Sequence, residues 1–308
     1  MKFFISGLGG DMAQSISRII KLEFKDCIIY GTDISDRNAA ELYCDEFVLG
    51  IKANDPGYID FIKNFIYKMD IDLFIPCTEH ELRVLINLDE NDSIWNKILS
   101  CAPNILRTCL DKFTTFEFLK ENSIPVPWFA SKSSDSIINY PCIYKKRSSS
   151  GSRDIFIVNN IEEAQFLEKY SKNGLFQELL QDSDKEYTCS VFRWGDSYLS
   201  IQLLRNLTGG STSWAQVTQD KEIDALCRNV SQAFDLKGSL NIQLRLTPKG
   251  PMIFEINPRF SSTVYMRHLL GFKDLAWSIK TKLNKDASIE FSNLRIAKIV
   301  KVSDSIIL

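Results

Sequence analysis

The sequence lacks the cysteine and histidine spacings that mark a structural zinc site. Its eight cysteines form no CxxC pair, and His80 and His268 are the only histidines. Disulfide frameworks are typical of short secreted chains, whereas this chain has 308 residues. We therefore expect reduced cysteines, mostly buried as small apolar side chains, in a cytoplasmic protein.

Long apolar runs and basic blocks are also missing. No run approaches the ~20 apolar residues that a membrane-spanning helix needs. The opening MKFFISGLGG predicts a strand and a turn rather than a signal peptide. The formal charge of -2 and the lack of clustered Lys and Arg argue against a nucleic-acid or membrane partner. What remains is a globular composition, with 44% apolar residues and a length that suggests two or three structural units.

The first hundred residues alternate strand and helix patterns. Helices are predicted after Gly10 and at 58–69, between strands at 2–6, 27–32, 46–49 and 72–76. This alternation predicts a parallel sheet with helices on its faces. GLGGD does not have the GxGxxG spacing, so we interpret it as a tight turn rather than a dinucleotide site. Glu79 and Glu81 follow the fourth strand, where open sheets bind ligands.

Beyond residue 107 the strands come in a different arrangement. Strands are predicted at 141–146, 155–158, 175–180, 186–193, 197–204, 239–246 and 252–257, and helices at 111–121, 161–170 and 220–234. The last two strands read as a hairpin joined by TPKG. We place the main boundary near residue 107 and a second division near Gln181.

A strand followed by a small-residue loop, PCIYKKRSSSGSRD, is the first candidate for a phosphate site. Small residues let backbone N–H groups approach phosphate oxygens, and Lys145 or Lys146 would neutralise the charge. The loop is not a Walker A sequence, because GxxxxGK[ST] is absent. An ordinary solvated hairpin turn is the alternative.

The second candidate is FQELLQDSDKEYTCSVF, in which a polar loop links one strand to the next. A linker that passes an adenine edge would offer backbone amide and carbonyl groups to the base. Glu186, at the start of the following strand, would accept hydrogen bonds from ribose hydroxyls. The alternative is an ordinary surface connection.

The third candidate, NIQLRLTPKGPMIFEINPRF, is the most informative. The period of two places Asn241 and Gln243 on one face of a strand, and Glu255 and Asn257 on one face of the next. If the strands pair, four oxygen-bearing side chains converge, which suits Mg²⁺ bound together with phosphates. Arg259 follows and would hold an anionic phosphoryl group. A solvent-exposed polar face is disfavoured, because MIFEIN otherwise reads as a core strand.

These three segments, in this order, resemble the ATP-grasp superfamily, most closely one ATP-binding half of the carbamoyl phosphate synthase large subunit. The resemblance implies an α/β fold: a Rossmann-like pre-ATP-grasp domain, 1–107, followed by an ATP-grasp fold, 108–308. The latter would hold ATP between two α+β subdomains, a lid-like unit at 108–180 and a metal- and substrate-binding unit at 181–308. The implied ATP-binding residues are Lys112, Lys145, Ser149, Ser150, Gly151, Ser152, Glu178, Leu180 and Glu186. The implied metal ligands, for Mg²⁺ or Mn²⁺, are Gln243, Glu255 and Asn257.

The segment LLRNLTGGSTSWAQVTQD departs from carbamoyl phosphate synthase, since it is shorter and has no histidine. The chain also holds a single ATP-grasp unit, so carbamoyl phosphate synthesis is not expected. Arg205, with Gly209, Gly210 and Ser211, would instead cradle a substrate carboxylate.

We therefore predict an ADP-forming ligase that converts a small carboxylate to an acyl phosphate and couples it to an amine. Its catalytic residues would be Arg259, Arg205 and Lys145. A homodimer is one possible assembly of the protein. A small-molecule kinase that uses the same ATP site is the alternative. A non-catalytic nucleotide-binding protein is disfavoured, because all the metal ligands are present.

Overall fold

The computed structural model describes residues 1–148, 154–181, 185–284 and 289–302, which form three β-sheets and their helices. The strands are β1 Lys2–Ser6, β2 Ile28–Asp33, β3 Glu46–Leu49, β4 Leu73–Ile75, β5 Phe129–Ala130, β6 Cys142–Lys146, β7 Ile155–Val158, β8 Gly174–Glu178, β9 Lys185–Trp194, β10 Ser197–Thr208, β11 Ser211–Thr218, β12 Gly238–Thr247, β13 Gly250–Asn257 and β14 Lys298–Val300. The helices are α1 Asp11–Glu23, α2 Tyr58–Lys68, α3 Glu79–Leu85, α4 Pro103–Cys109, α5 Lys112–Glu121, α6 Ile161–Tyr170, α7 Lys221–Ala233, α8 Val264–Leu269 and α9 Asp274–Leu283, with short 3-10 helices at Ala40–Tyr43 and Ser93–Lys97. Within these ranges, no helix is long and apolar enough to cross a bilayer.

The first four strands form a parallel sheet in the order β3-β2-β1-β4. Successive side chains of a strand point to opposite faces of its sheet. Phe3 and Ile5 of β1 accordingly pack in one apolar cluster with α1, while Phe4 packs in another with Ile62 and Ile66 of α2. The predicted parallel sheet with helices on both faces is confirmed.

A small antiparallel sheet, in the order β5-β8-β6-β7, follows in the chain, and we call it the lid sheet. Its core packs Tyr144 and Phe176, with ring centroids 4.9 Å apart, near Ala164 of α6. Lys145 is the next residue after Tyr144, so its side chain leaves β6 on the opposite face.

The third sheet, the central sheet, has six strands in the order β13-β12-β9-β10-β11-β14, each antiparallel to its neighbours. Tyr187, Cys189 and Val191 of β9 share an apolar core with α7. By alternation, Glu186 and Thr188 lie on the opposite face. The opposite face also packs Phe192 and Leu203 in a second apolar cluster, with Trp277 of α9, but it carries the polar side chains that the sequence singles out at one end.

Two apolar clusters connect the N-terminal sheet to the rest of the chain. The larger joins Phe74 of β4 to Phe116 of α5 and Ile242 of β12, and the other joins Ile16 of α1 to Ile279 of α9. Helix α5 therefore packs with the core of the central sheet, although the sequence assigns it to the lid-like subdomain. The boundaries at residues 107 and 180 stay predictions.

Two elements near the site were not predicted from the sequence. Helix α3 has only seven residues and begins with a capping box, in which Thr78 and Glu81 bond each other's backbone N–H groups. Strand β11 forms a hairpin with β10 through Gly209 and Gly210, which have φ values of 57° and 78°. Positive φ at both positions suits glycine and gives the tight turn. The segment that departs from carbamoyl phosphate synthase is therefore largely strand.

Candidate nucleotide and metal site

The hairpin of β12 and β13 brings the predicted oxygen ligands together. Gln243 lies directly opposite Glu255, and Asn241 lies directly opposite Asn257. Residues directly opposite each other in an antiparallel pair share a face of the sheet. The predicted pairing of these strands is therefore confirmed. The described residues contain no cluster of three or more His, Cys, Asp or Glu side chains that would hold a metal alone. Any metal here depends on amide oxygens and phosphates in addition to Glu255.

Two lysines lie near this hairpin. The Nζ atom of Lys112 is 4.0 Å from a carboxylate oxygen of Glu255. Lys145 Nζ donates a hydrogen bond to the carbonyl of Phe254 at 3.0 Å and lies 5.0 Å from the centre of the Phe116 ring. Lys145 is only 5% exposed. Burial lowers the pKa of Lys145 from 10.5 to about 7; the charge of Glu255 opposes this shift, and the smaller effect of Lys112 adds to it.

Lys146 leaves β6 on the other side of the lid sheet. Its Nζ atom pairs with Asp154 at 3.1 Å, and both side chains are about half exposed. The sequence left open which of the two lysines faces the nucleotide site, and the structure turns Lys145 inward. The predicted loop residues Ser149, Ser150, Gly151 and Ser152 lie outside the described residues.

Arg205 lies at the centre of a charged network on the central sheet. Its guanidinium donates to Glu186 at 2.8 Å and 3.1 Å and to the amide oxygen of Gln243 at 2.8 Å. Arg245 pairs with the second carboxylate oxygen of Glu186 at 3.1 Å. These contacts of Arg205 are to Glu186 and Gln243, whereas Gly209 and Gly210, with which we expected Arg205 to form a cradle, turn the β10–β11 hairpin. Arg205 instead links the proposed ribose and metal residues, and its role towards a substrate acid stays a prediction.

A cavity of about 330 Å³ separates the lid sheet from the central sheet. The lid side contributes apolar side chains, and the central sheet contributes Glu186, Arg205, Gln243 and Glu255. Lys112 and Lys145 also line it, together with Ile143, Ile155, Ile157, Leu179 and Leu180. An apolar slot next to a cationic and acidic wall suits a planar base joined to a charged chain.

Glu178, predicted to contact adenine, is tied to the backbone of Trp128. Its carboxylate accepts from the Trp128 N–H at 3.3 Å, and its own N–H donates to the Trp128 carbonyl at 2.9 Å. The described cavity lining includes the residue before it, Gln177, rather than Glu178 itself. Gln177 was not selected from the sequence. The period of two along β8 would have placed it on the face opposite the buried Phe176.

The side chain of Gln177 holds a buried hydrogen-bond acceptor beside this cavity. The residue is 3% exposed, and its Nε2 donates to the carbonyl of Glu178 at 3.4 Å. Its Oε1 atom has no hydrogen-bond partner among the described residues. Buried acceptors are normally satisfied, so this oxygen marks a position where a donor is expected.

Arg259 connects the hairpin to the N-terminal sheet. Its guanidinium is 3.3 Å from Glu79 at the start of α3 and donates to the Phe260 carbonyl at 3.0 Å. Glu79 also lines a small cleft with Lys112, Glu255 and other residues of α5 and β13. The N-terminal unit therefore reaches the predicted catalytic arginine, which no local pattern in the sequence indicated.

The segment after Arg259 is fixed by a buried ion pair. Arg267, with no exposed surface, donates to Asp274 at 2.8 Å and 2.9 Å and to Ser261 at 2.9 Å. His268 lies 3.4 Å from Glu23 of α1, and burial lowers its pKa. These contacts are structural, since they hold α8 and α9 against each other and against α1.

Comparison with known proteins agrees with this architecture of three sheets. A family model described as "ATP-grasp domain" matches residues 109–263, and one described as "PylC-like, N-terminal domain" matches residues 5–95. The first match covers half of the sequence. The chain belongs to the ATP-grasp family.

Among curated proteins, the chain is similar to an uncharacterized protein, MG011, of Mycoplasma genitalium. The two are 26% identical over 137 residues, which is 44% of this chain and 46% of that relative. The matched stretch thus spans less than half of the relative's length.

Solved structures resemble nearly the whole chain. The carboxyaminoimidazole ribonucleotide synthase of Aspergillus clavatus, complexed with ATP, is 16% identical with a TM-score of 0.74, covering 96% of this chain and 79% of that one. N5-carboxyaminoimidazole ribonucleotide synthetase of Thermotoga maritima is 19% identical, with a TM-score of 0.69 and coverages of 95% and 78%. Biotin carboxylase of Campylobacter jejuni, in a β,γ-ATP complex, is 12% identical, with a TM-score of 0.73 and coverages of 96% and 73%. These likenesses confirm the predicted fold class.

Proposed function

We propose that this protein is an ADP-forming ligase that binds Mg-ATP in the cavity between the lid sheet and the central sheet. The observation that carries the proposal is the meeting, in one cavity, of Lys145 from the lid sheet with Glu186, Gln243 and Glu255 from the central sheet. This set combines a cation for phosphates, a carboxylate for hydroxyl groups and oxygen donors for a metal. The ATP-grasp family match and the synthetase and carboxylase names of the structural neighbours support it.

The donor set fits Mg²⁺, with Mn²⁺ as an alternative. Glu255 supplies one carboxylate, and Gln243 and Asn257 supply neutral amide oxygens, so the protein contributes only hard oxygen ligands. When bound, the metal would withdraw negative charge from the phosphate oxygens. Lys145 and Arg205 would add positive charge beside the same phosphates, and Glu186 would accept from the ribose.

The reaction that this arrangement supports is carboxylate activation. A carboxylate oxygen of the acid forms a bond to the γ-phosphorus of ATP as the bond to ADP breaks, which gives an acyl phosphate. The amine nitrogen then bonds to the acyl carbon, inorganic phosphate leaves, and the amine releases a proton. Arg259, held by Glu79, would orient the acid. Positioning and electrostatic stabilisation would supply most of the rate enhancement.

Gln177 would select adenine. Gln177 lines the cavity and its Nε2 is used by the Glu178 carbonyl, so its unpartnered Oε1 is the atom that would accept from the exocyclic amino group of adenine. Guanine presents a carbonyl oxygen at the equivalent position and would leave two acceptors facing each other. Gln177→Met keeps the length of the side chain and removes the acceptor. We expect it to lower ATP affinity about fivefold and to narrow the preference for ATP over GTP.

The ligase function is tested by incubating the protein and ATP with a panel of small carboxylates and amines. ADP and free phosphate are measured together, and the products are identified by mass spectrometry. A ligase releases one phosphate for each ADP and yields an acid–amine adduct. A stable phosphorylated product without free phosphate would establish the kinase alternative instead. A protein that does not bind ATP at all would overturn both.

The remaining expectations concern the binding partners, the cellular location and the oligomeric state. The substrates are proposed to be small molecules, without nucleic acid or membrane. The eight free cysteines suit a reducing, cytoplasmic location. A homodimer stays a prediction, to be checked by light scattering.

A further inference from the structure

The N-terminal sheet has a cavity of its own, distinct from the one between the lid and central sheets. It measures about 520 Å³ and lies at the carboxyl ends of the parallel strands, lined by residues that follow β1, β2, β3 and β4. The strand order β3-β2-β1-β4 reverses direction between β1 and β4. Open α/β sheets bind ligands in the crevice outside the carboxyl ends at such a switch point.

The chemistry of the walls is mainly apolar. Ile34, Ile51, Ala53, Phe61 and Ile62 are among the residues that line it, and 520 Å³ is large enough for a small organic ligand.

Two acidic residues line the same cavity, but their carboxylates accept hydrogen bonds from other groups of the protein. Asp33 accepts from the N–H groups of Gly9 at 2.9 Å and Ser35 at 3.2 Å. Glu81 accepts from the Tyr58 hydroxyl at 2.8 Å and from the Thr78 N–H at 2.9 Å. The Gly9 N–H is therefore engaged by Asp33. This agrees with interpreting GLGGD as a turn rather than a dinucleotide site.

Among the described residues that line the cavity, one buried side-chain polar atom has no hydrogen-bond partner. Thr32, at the end of β2, is 4% exposed, and its Oγ1 has no hydrogen-bond partner among the described residues. Thr32 is one of the residues that line the cavity. Gly50 keeps the space beside it open, because a Cβ there would lie 2.4 Å from Thr32 Oγ1. A buried hydroxyl costs free energy unless it is bonded, so a ligand group is its expected partner.

The cavity is also close to the proposed reaction centre. Thr78, His80 and Glu81 line it, while Glu79, in the same first turn of α3, pairs with Arg259 on the other side. A helical turn rises only about 5.4 Å. A single turn of helix α3 therefore separates a molecule bound in the cavity from the Glu79–Arg259 pair.

We propose that this cavity binds the apolar body of one of the two substrates, an aromatic or branched aliphatic group of about six to ten carbons. Thr32 makes its single buried polar contact. The charged end of the substrate extends past α3 towards Arg259. Calling the ligand a substrate rests on the proposed ligase function, whereas its binding in the cavity does not.

The experiment uses the full chain with ¹³C-labelled isoleucine δ1-methyl groups. The probes are 3-phenylpropionate and phenethylamine, which share an apolar body and differ in the charged end. We expect at least one probe, at millimolar concentration, to shift the methyl signals of Ile34, Ile51 and Ile62 in a saturable way. The probe that binds more tightly identifies whether the acid or the amine carries the apolar body. Propionate and ethylamine, which lack the ring, should give no saturable shift.

Variants localise the site. Ile34 is 59% exposed at the rim, so Ile34→Trp adds bulk to the cavity without disturbing the core, and the probe affinity should fall at least tenfold. Leu22→Trp changes a side chain that is 61% exposed and lies outside this cavity, and should leave the affinity unchanged. Thr32→Val keeps the shape of Thr32 and removes its hydroxyl, and a probe carrying a ring hydroxyl, tyramine, should lose about fivefold.

Mg-ATP added to the same sample separates this inference from the ligase function. ATP should shift the methyl signals of Ile143, Ile155 and Ile157 in the other cavity. If ATP does so while neither probe binds, or while the probes shift only those three signals, the second cavity is not a substrate site and the ligase proposal stands. If the probes bind at Ile34 and Ile51 but ATP does not bind, the cavity is a ligand site and the ligase proposal fails.

Discussion

The lowered pKa of Lys145 predicts that binding of the proposed nucleotide depends on pH. Without nucleotide, burial and the charge of Lys112 lower this pKa from 10.5 to about 7, which places it at neutral pH. A phosphate beside Nζ favours the charged amine, so the pKa rises again in the complex. We therefore predict that ATP binding takes up about one proton at pH 8 and much less at pH 6.

The size of the effect follows from the shift itself. Lowering the pKa from 10.5 to about 7 disfavours the charged form by about 5 kcal/mol, at about 1.4 kcal/mol per pH unit. About half of Lys145 is charged at pH 7 and about a tenth at pH 8. If only the charged form binds ATP tightly, the apparent Kd should rise about fivefold across that interval.

The same shift affects stability without nucleotide. Between pH 7 and 10.5 the unfolded chain carries a proton on Lys145 that the folded protein lacks. Stability should therefore increase with pH across this window, and the cost of the buried charge should be fully present below pH 7.

Isothermal titration calorimetry in buffers of different ionisation enthalpy measures the proton uptake directly. Lys145→Arg keeps a cation that does not titrate, so the uptake should disappear and the pH dependence of Kd should flatten. Lys146→Arg is the matched control, because Lys146 pairs with Asp154 at 3.1 Å on the other side of the strand. If Lys145→Arg retains the uptake of the unmodified protein, another group binds the proton and the assignment of Lys145 to the phosphates is wrong.

Three further predictions test other parts of the molecule. Glu255→Gln should nearly abolish ADP release at any Mg²⁺ concentration while the thermal melt is preserved, because Glu255 is the only carboxylate in the proposed metal set; turnover like that of the unmodified protein would make the hairpin structural. The sequence predicts that Arg205→Ala raises the KM for the acid and leaves the ATP affinity unchanged. Because Arg205 contacts Glu186 and Gln243 in the cavity, we expect ATP binding to weaken about tenfold as well, and calorimetry measures this change. Asp274→Asn should destabilise the fold by about 3–5 kcal/mol in chemical denaturation, because it leaves the charge of Arg267 buried without its partner. Asp235→Asn, in an exposed pair, should change stability little, and equal losses in the two variants would contradict the importance of burial.

Local sequence patterns determined the N-terminal fold, the face on which several site residues lie, and the family. Alternating strands and helices predicted the parallel N-terminal sheet, because the hydrophobic effect imposes one period on each kind of element. The TPKG turn and the period of two placed Gln243 and Glu255 on one face, and the structure has them directly opposite each other. The order of the three motifs indicated the ATP-grasp family, which the family match confirms.

Some features were missed for local reasons too. Strand β11 was not predicted, because LTGGST contains turn residues and the strands on either side are partly polar. Glu178 was named through the resemblance and Gln177 was not, although the period of two favours the residue opposite Phe176; the contact of Glu178 with adenine stays a prediction. Helix α3 was missed because seven residues give too short a pattern for a helical period.

Only the tertiary structure decided which distant residues meet. The pairing of β9 with both β10 and β12 brings Arg205 to Glu186 and Gln243. The packing of the N-terminal sheet against the rest brings Glu79 to Arg259, 180 residues further along the chain. The burial that lowers the pKa of Lys145 likewise depends on Phe116 and Phe254 from other segments. The sequence specifies the face on which a side chain lies, since that follows from its neighbours in the chain. Its partner across the cavity depends on strand order and on the packing of one sheet against another, which are set by the free energy of the whole fold.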